Sequence, residues 1–248
     1  IGNNALLSNT TATGNTAVGS ESLTANTTGG RNVGLGEYSL YANTTAFDNT
    51  ALGYNSLASN TTGAENVAVG SYALDAQTDA SENTAVGYQA LTATTGAYNS
   101  AFGRKALLTN STGTHNTSIG RESMYDNTTG SYNTAVGNEA LPNNTEADNN
   151  VAVGAASMFS NSTGTQNTAV GMNALRSVTT ASTCAAFGYA SLKLNTVGEN
   201  SAFGANSLTA NTTGAQNVAI GYNSLRQNTT ASNNTCLLYT SDAADDRV

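Results

Sequence analysis

An apolar residue recurs along this chain about every 17 residues, and a second follows it five places later at the same interval. Aligning on Asn-Thr-Ala-Val-Gly fixes the register. The motif starts at Asn15, Asn32, Asn49, Asn66, Asn83, Asn99, Asn116, Asn133, Asn150 and Asn167, at Cys184 in place of Asn, and again at Asn200, Asn217 and Asn234. Every step is 17 residues except two of 16, from Asn83 and from Cys184. In both, the missing residue falls in or just after the Asn-Thr-Thr-Gly segment, and a segment that accepts deletion behaves as a turn.

The repeat reads N-T-A-V-G-x-x-A-L-x-x-N-T-T-G-x-x. The fourth position is Val, Leu, Ile or Phe, from Val18 and Leu35 to Phe203 and Ile220. The fifth is Gly throughout, the eighth Ala or Ser, and the ninth Leu or Met, from Leu23 through Met124 and Met158 to Leu225. A period this short and strict predicts a solenoid. It is too short for two helices and a loop, but it holds two short strands and two turns. Thr-Ala-Val supplies the first strand, with Gly marking a bend or a positive φ after it. Ala/Ser-Leu is expected to begin the second, and Asn-Thr-Thr-Gly has turn chemistry. The predicted fold is all-β: a parallel β-solenoid, or β-roll, of about fourteen turns, right- or left-handed. The ninth-position residues form an apolar ladder, the fourth-position residues another, and the first-position Asn an amide ladder that Cys184 interrupts.

Alternation within the strand places Thr16 and Val18 on one side and Asn15, Ala17 and Gly19 on the other. The third position is Ala in nearly every turn, Gly34 and Ser118 being exceptions. Neither side carries the polar pattern of a strand facing water. One cover is the interior of the coil. The second is either another chain, which predicts a side-by-side homotrimer or other multimer, or a very flat coil whose small residues permit close approach.

Composition narrows the function classes. Charged residues are 10% of the 248, against an ordinary ~25%, and there are one Pro, one His and no Trp. The net charge is −8 and the 8 basic residues are scattered, so no basic stripe exists for nucleic acid. No apolar run approaches the ~18 residues of a membrane span. There is neither an initiating Met nor a recognisable signal peptide, from which the chain is expected to be a fragment of a longer protein.

The repeat region is assigned to residues 1–235, with Ile1 and Gly2 completing the pattern of a truncated first turn. The string Cys236-Leu-Leu-Tyr-Thr-Ser-Asp-Ala-Ala-Asp is unrelated to the repeat and resembles the translation of a sequencing adaptor. Residues 236–248 are therefore expected to be an artefact, disordered and outside the fold. That leaves Cys184 without an intrachain disulfide partner.

The segments Asn83-Thr-Ala-Val-Gly-Tyr-Gln-Ala-Leu and Asn217-Val-Ala-Ile-Gly-Tyr-Asn-Ser-Leu resemble the YadA-like head repeats of trimeric autotransporter adhesins, which carry a Ser-x-Ala-Ile/Val-Gly-x-x-Ala/Ser motif. The version with Asn-Thr-Thr-Gly is also similar to repeats of phage tail fibres and large bacterial surface proteins. The resemblance covers nearly all of residues 1–235, although the turns of the adhesin heads are typically shorter. It implies a left-handed parallel β-roll, three chains side by side, and an adhesive role at a bacterial cell surface or virion tail.

No constellation of catalytic, cofactor-binding or metal-ligating residues is found, and no enzyme or cofactor is expected. His115 lies in a turn without partners for a triad or zinc site. Gly34-Leu35-Gly36 lacks the third Gly of a phosphate loop. Asp75, Asp79, Glu82, Glu139, Glu146 and Asp148 occupy variable positions and read as solvated turns. The sequons at Asn26, Asn43, Asn60, Asn127 and Asn211 recur with the turn and read as turn chemistry rather than glycan acceptors. Tyr38, Tyr54, Tyr72, Tyr88, Tyr189 and Tyr222 follow the invariant Gly, and such amphipathic rings on a polar rim point weakly toward carbohydrate. The expected function is an extracellular structural or adhesive fibre segment that touches a host receptor or glycan. The alternatives are an ice-binding solenoid and a passive surface-layer spacer.

Overall fold

The computed structural model describes residues 1–92 and 94–238. Among them are fourteen three-residue strands and no helix, from β1 (Thr16–Val18) and β2 (Val33–Leu35) to β13 (Val218–Ile220) and β14 (Thr235–Leu237). All lie in one parallel sheet in chain order. Register follows the repeat, with Thr16 opposite Val33, Ala17 opposite Gly34 and Val18 opposite Leu35. The chain is a parallel β-solenoid of about thirteen turns, roughly 60 Å long at the usual strand spacing.

Every strand but β14 buries only its middle residue. Ala51, Ala68, Ala85 and Ala101 are fully enclosed, whereas Thr16 and Val18 point to solvent. The reason lies across the coil, where the eighth position faces the third. At Gly34, an added Cβ would sit 2.5 Å from Ser22 Oγ and 3.0 Å from Ser39 Oγ. At the other exception, Ser118 Oγ meets Ser123 Oγ at 2.5 Å, so the two hydroxyls satisfy each other in the space an Ala would occupy. The coil is thin, and small residues at positions three and eight are what let its walls meet. The chain's own opposite wall therefore covers the Ala side, and the fourth-position ladder lies outside the core.

The expected second strand is absent. Residues 20–25 form a turn segment in which Glu21 has φ 58° and Leu23 φ 52°, and the pattern repeats in later turns, as at Gln89 (54°) and Leu91 (49°). Backbone groups still bond from turn to turn: Leu23 N–H donates to Ser39 O at 3.0 Å and Glu21 N–H to Asn3 O at 2.8 Å. The ninth-position side chain points inward and is fully buried from Leu23 to Leu208. A left-handed backbone there explains why the ladder is Leu or Met and never Val or Ile, since β-branched residues are outliers at positive φ.

The invariant Gly has a separate cause. Gly36 has φ 136°, and a Cβ on it would fall 2.5 Å from the carbonyl oxygen of Gly53 in the next turn. The Gly of Asn-Thr-Thr-Gly is not the left-handed residue of its turn. That role falls one place before the motif, on Arg31 (58°), Asp48 (57°) and Glu65 (59°).

Two Asn columns make the polar half of the interior. The first-position Asn49 accepts from the N–H of Asn66 at 2.9 Å and donates through Nδ2 to Gly63 O at 2.9 Å. The twelfth-position column, not anticipated as interior, bonds side chain to side chain: Asn43 Nδ2 donates to Asn26 Oδ1 at 2.7 Å and Asn127 Nδ2 to Asn110 Oδ1 at 2.7 Å. Both columns are buried, so each amide replaces the water that a carbonyl or N–H would otherwise need. Cys184 still donates its own N–H to Asn167 Oδ1 at 2.9 Å, but it has no amide oxygen for the turn that follows; within its own turn its sulfur lies 3.3 Å from Val197 O and 3.5 Å from Asn195 Nδ2. Burial pushes the Cys184 thiol pKa up.

At the C-terminal end, β14 runs past residue 235, the expected limit of the repeat, and takes in Cys236 and Leu237. Ala219 pairs with Cys236 and Ile220 with Leu237, and Leu238 N–H donates to Ile220 O at 2.8 Å as the Gly does elsewhere. A parallel ladder is a backbone interaction, and a small Cys fits the inward third place. The rest of the suspected artefact, residues 239–248, lies outside the described residues.

Candidate functional site

Among the described residues the interior is filled by the repeat itself, so variable chemistry lies on outward surfaces, three of which are described in turn. The first is the solvent side of the sheet, with Thr, Val, Ser or Ala in the second position and a larger apolar residue in the fourth. Leu35, Leu52, Phe102, Ile119, Phe203 and Ile220 are each 40–42% exposed, and the Phe187 and Phe203 rings stack at 5.0 Å. Stacking in register makes this a continuous strip along the rod.

The second surface is aromatic. Tyr38, Tyr54, Tyr72 and Tyr88 form an edge-to-face ladder with centroids 6.1, 5.3 and 6.1 Å apart, and Tyr41 joins Tyr38 at 5.7 Å. Four of the six tyrosines singled out in the sequence are thus brought together; Tyr189 and Tyr222 stand on distant turns. The expectation for His115 was an exposed turn residue, and it is one, with φ 58°. Sequence reasoning missed its neighbours, Tyr98 and Tyr132, whose rings stack on it at 4.8 and 4.7 Å. The signal was present, since all three are the last residue of their turns.

The third surface is an open cleft of about 390 Å³, lined by Glu122, Tyr125, Asp126, Glu139, Pro142, Asn143 and Phe159. Tyr125, Pro142 and Phe159 hold the tenth position of three successive turns. Glu122 and Glu139 stand on one side, from the seventh position, and Asp126 and Asn143 on the other, from the eleventh. Arg104 and Arg121 each pair with Glu122 at 2.7 Å, and Arg121 also pairs with Glu139. Lys105 Nζ lies over the Tyr125 ring at 5.9 Å and Arg176 Cζ over Phe159 at 5.3 Å. Burial pushes the Asp126 carboxyl pKa up.

Of the singled-out acids, only Glu139 belongs to this cleft. Asp148 Oδ1 accepts from the N–H of Ser131 at 2.6 Å, a bond between turns. Asp75 is half-buried near Tyr72, with one unpartnered oxygen. Among the described residues no three His, Cys, Asp or Glu side chains gather as a metal-binding group. Gly34-Leu35-Gly36 is strand β2 and its bend. The sequon Asn26, Asn43, Asn60, Asn127 and Asn211 side chains are buried in the amide column and are inaccessible to a modifying enzyme in the folded chain. Comparison of the chain with models of known protein families, with curated proteins and with solved structures finds no match.

Proposed function

We propose that the chain is a structural and adhesive fibre segment, a rod that packs side by side with two further copies and carries attachment surfaces away from a bacterial cell or virion. The observation that supports this reading most is the outward sheet strip. Two columns roughly 60 Å long and about 10 Å wide present about 600 Å², the upper end of what a monomer leaves exposed. Fourth-position side chains up to the size of Phe have no role in the chain's own core, and lateral packing of copies would bury them along the whole length. The variable aromatic surfaces would remain outside such a bundle, available to a receptor, and three copies would multiply a weak contact.

Sedimentation of the full chain at micromolar concentration tests the assembly, with a trimer expected. Retention of protein-coated beads on bacterial or host cells tests the adhesion. A monomer at every concentration, with beads that do not attach, would remove both parts.

One observation favours a second reading, the ice-binding solenoid. The outward strip is regular, with Thr at Thr16, Thr50, Thr84, Thr117, Thr134 and Thr168 spaced by whole turns. Against it, Leu35, Leu52, Phe102, Phe187 and Phe203 interrupt the flatness of the adjoining column. Thermal hysteresis in a nanolitre osmometer separates the two, and its absence leaves the fibre reading, or a passive spacer if attachment also fails.

A further inference from the structure

We infer that the cleft between Tyr125 and Phe159 is a saccharide-binding subsite that takes the pyranose rings of an uncharged glycan. This deepens the adhesive reading and rests on it for its biological sense, but its chemistry stands on the cleft alone.

The first support is a run of rings at a variable place. The tenth position holds Thr24, Tyr41, Ala58, Asp75, Thr92 and Leu108 in other turns, so the coil itself requires no ring there. Here it holds Tyr, Pro and Phe in succession, including the only Pro of the chain. The coil accommodates that Pro with a local change: Asn143 Nδ2 donates to Phe159 O at 2.6 Å. Two strand spacings, about 9.6 Å, separate the places of Tyr125 and Phe159, with Pro142 as the floor between them. Lys105 comes from the turn before Tyr125 and Arg176 from the turn after Phe159, so each cation braces its ring from the side away from Pro142. What remains open is an apolar slot with two aromatic walls. The apolar faces of a pyranose fit such a slot.

The second support is the polar rim. Glu122 and Glu139 are held by Arg104 and Arg121, which fixes their oxygens as acceptors rather than leaving them to wrap around a solute. Asn143 and Asp126 stand on the opposite side. Pyranose hydroxyls donate and accept around the ring edge, and this rim answers both demands.

Charge selects among ligands. Three carboxylates, Glu122, Glu139 and Asp126, stand against Arg104, Lys105, Arg121 and Arg176, so the site is close to neutral. An organic cation in the slot would lie between Lys105 and Arg176 and be repelled by both. A polyanion would be repelled by the chain's net charge of −8. An uncharged glycan meets neither penalty.

The test is fluorescence polarisation of the full chain with end-labelled short oligomers of β-1,4-glucose, α-mannose, galactose and N-acetylglucosamine. At least one probe is expected to bind, and Tyr125→Ala or Phe159→Ala to weaken it about tenfold or more. Both variants should fold, because Ala58 already occupies the equivalent place, and unchanged melting by circular dichroism verifies this. Tyr222→Ala, remote from the cleft, should bind as the parent does. The proposal is overturned if no probe binds, or if the two cleft variants bind every probe as tightly as the parent. Cell attachment of beads carrying the parent chain separates the two readings. Attachment by a parent that binds no probe leaves adhesion standing and removes the cleft; probe binding lost in the cleft variants, from a parent whose beads do not attach, does the reverse.

Discussion

Val86 and Leu91 sit five residues apart in one coil and obey different rules. Leu91 is fully buried, in left-handed backbone, between Leu74 and Leu107 of the adjacent turns. Val86 stands on the solvent side of the sheet, between Val69 and Phe102. The inner place admits only Leu or Met along the chain, whereas the outer one changes freely among Val, Leu, Ile and Phe. Stacking makes each inner residue part of its neighbours' packing, so one departure disturbs three turns. Outside, a change is felt mainly by its own turn. The repeat's constancy therefore describes how the rod holds together, and its variation marks where the rod can meet something else.

The largest expected contrast is Leu91→Asp against Val86→Asp. The inner carboxylate has no partner and no water, and should cost several kcal/mol, enough to split unfolding into two transitions or abolish the fold. The outer one should cost on the order of 1 kcal/mol, the span of strand preferences at a solvated face. Equal melting of the two variants would contradict the assignment of inside and outside.

A smaller effect is expected in the amide column. Asn150→Ala leaves the N–H of Asn167 without its partner, now at 3.0 Å, and takes from the Gly164 carbonyl one of its two donors, Asn161 Nδ2 remaining at 3.0 Å. A buried orphan N–H costs about 1–3 kcal/mol. Urea denaturation should report a fall in midpoint with little change in slope. A loss no larger than that of an exposed Thr→Ala would mean that the column is not dry.

The outer strip sharpens the comparison in another way. Replacing Leu35, Leu52 and Phe187 together by Thr should leave the melting of the isolated chain almost unchanged, because Thr is a good strand residue. The same change should shift sedimentation toward monomer if copies pack on this strip. An unaltered sedimentation profile with a reduced melting point would place the strip in the fold rather than in an interface.

How much of this was legible depends on what the period encodes. Its value, the strand at Thr-Ala-Val, the inward Leu and the alternation of Thr16 and Val18 against Ala17 all follow from spacing and residue type. The absence of a second strand does not. Glu21 and Leu23 are not residue types that favour left-handed backbone, and the absence of Val and Ile from the ninth position is the trace it leaves; the neighbouring turns impose the conformation through bonds such as Leu23 N–H to Ser39 O. The twelfth-position Asn reads in the sequence as turn chemistry, and Asn in an Asn-Thr-Thr-Gly turn has the same local preference whether its amide faces water or Asn26 Oδ1. The cleft was invisible for a similar reason. Tyr125, Pro142 and Phe159 are far apart along the chain and meet only because the turns stack.

The smallest effect concerns Asp75, which occupies the tenth position with one oxygen buried and unpartnered. Burial raises its carboxyl pKa, and backbone N–H groups oppose this only in part. The folded chain therefore keeps this proton to a higher pH than the unfolded chain does. Stability from this group rises as pH falls through the folded pKa and is complete below the unfolded value of about 4. Asp126 acts in the same direction. Asp48 acts oppositely: its hydrogen bond with Arg31 lowers its pKa, so its contribution exists above about pH 4 and fades as pH falls through the lower folded value. That pair is exposed and contributes little. Between pH 7 and pH 4.5 the two partly buried carboxyls should dominate, and the melting temperature should rise modestly on acidification. Asp75→Asn should raise it at pH 7 by a few degrees at most and flatten the acid rise, since an amide fills the same place without a charge to desolvate. A lower melting temperature for Asp75→Asn at pH 7 would show that the carboxylate is held by a favourable partner, and the tenth position would then belong with the inner columns rather than the outer ones.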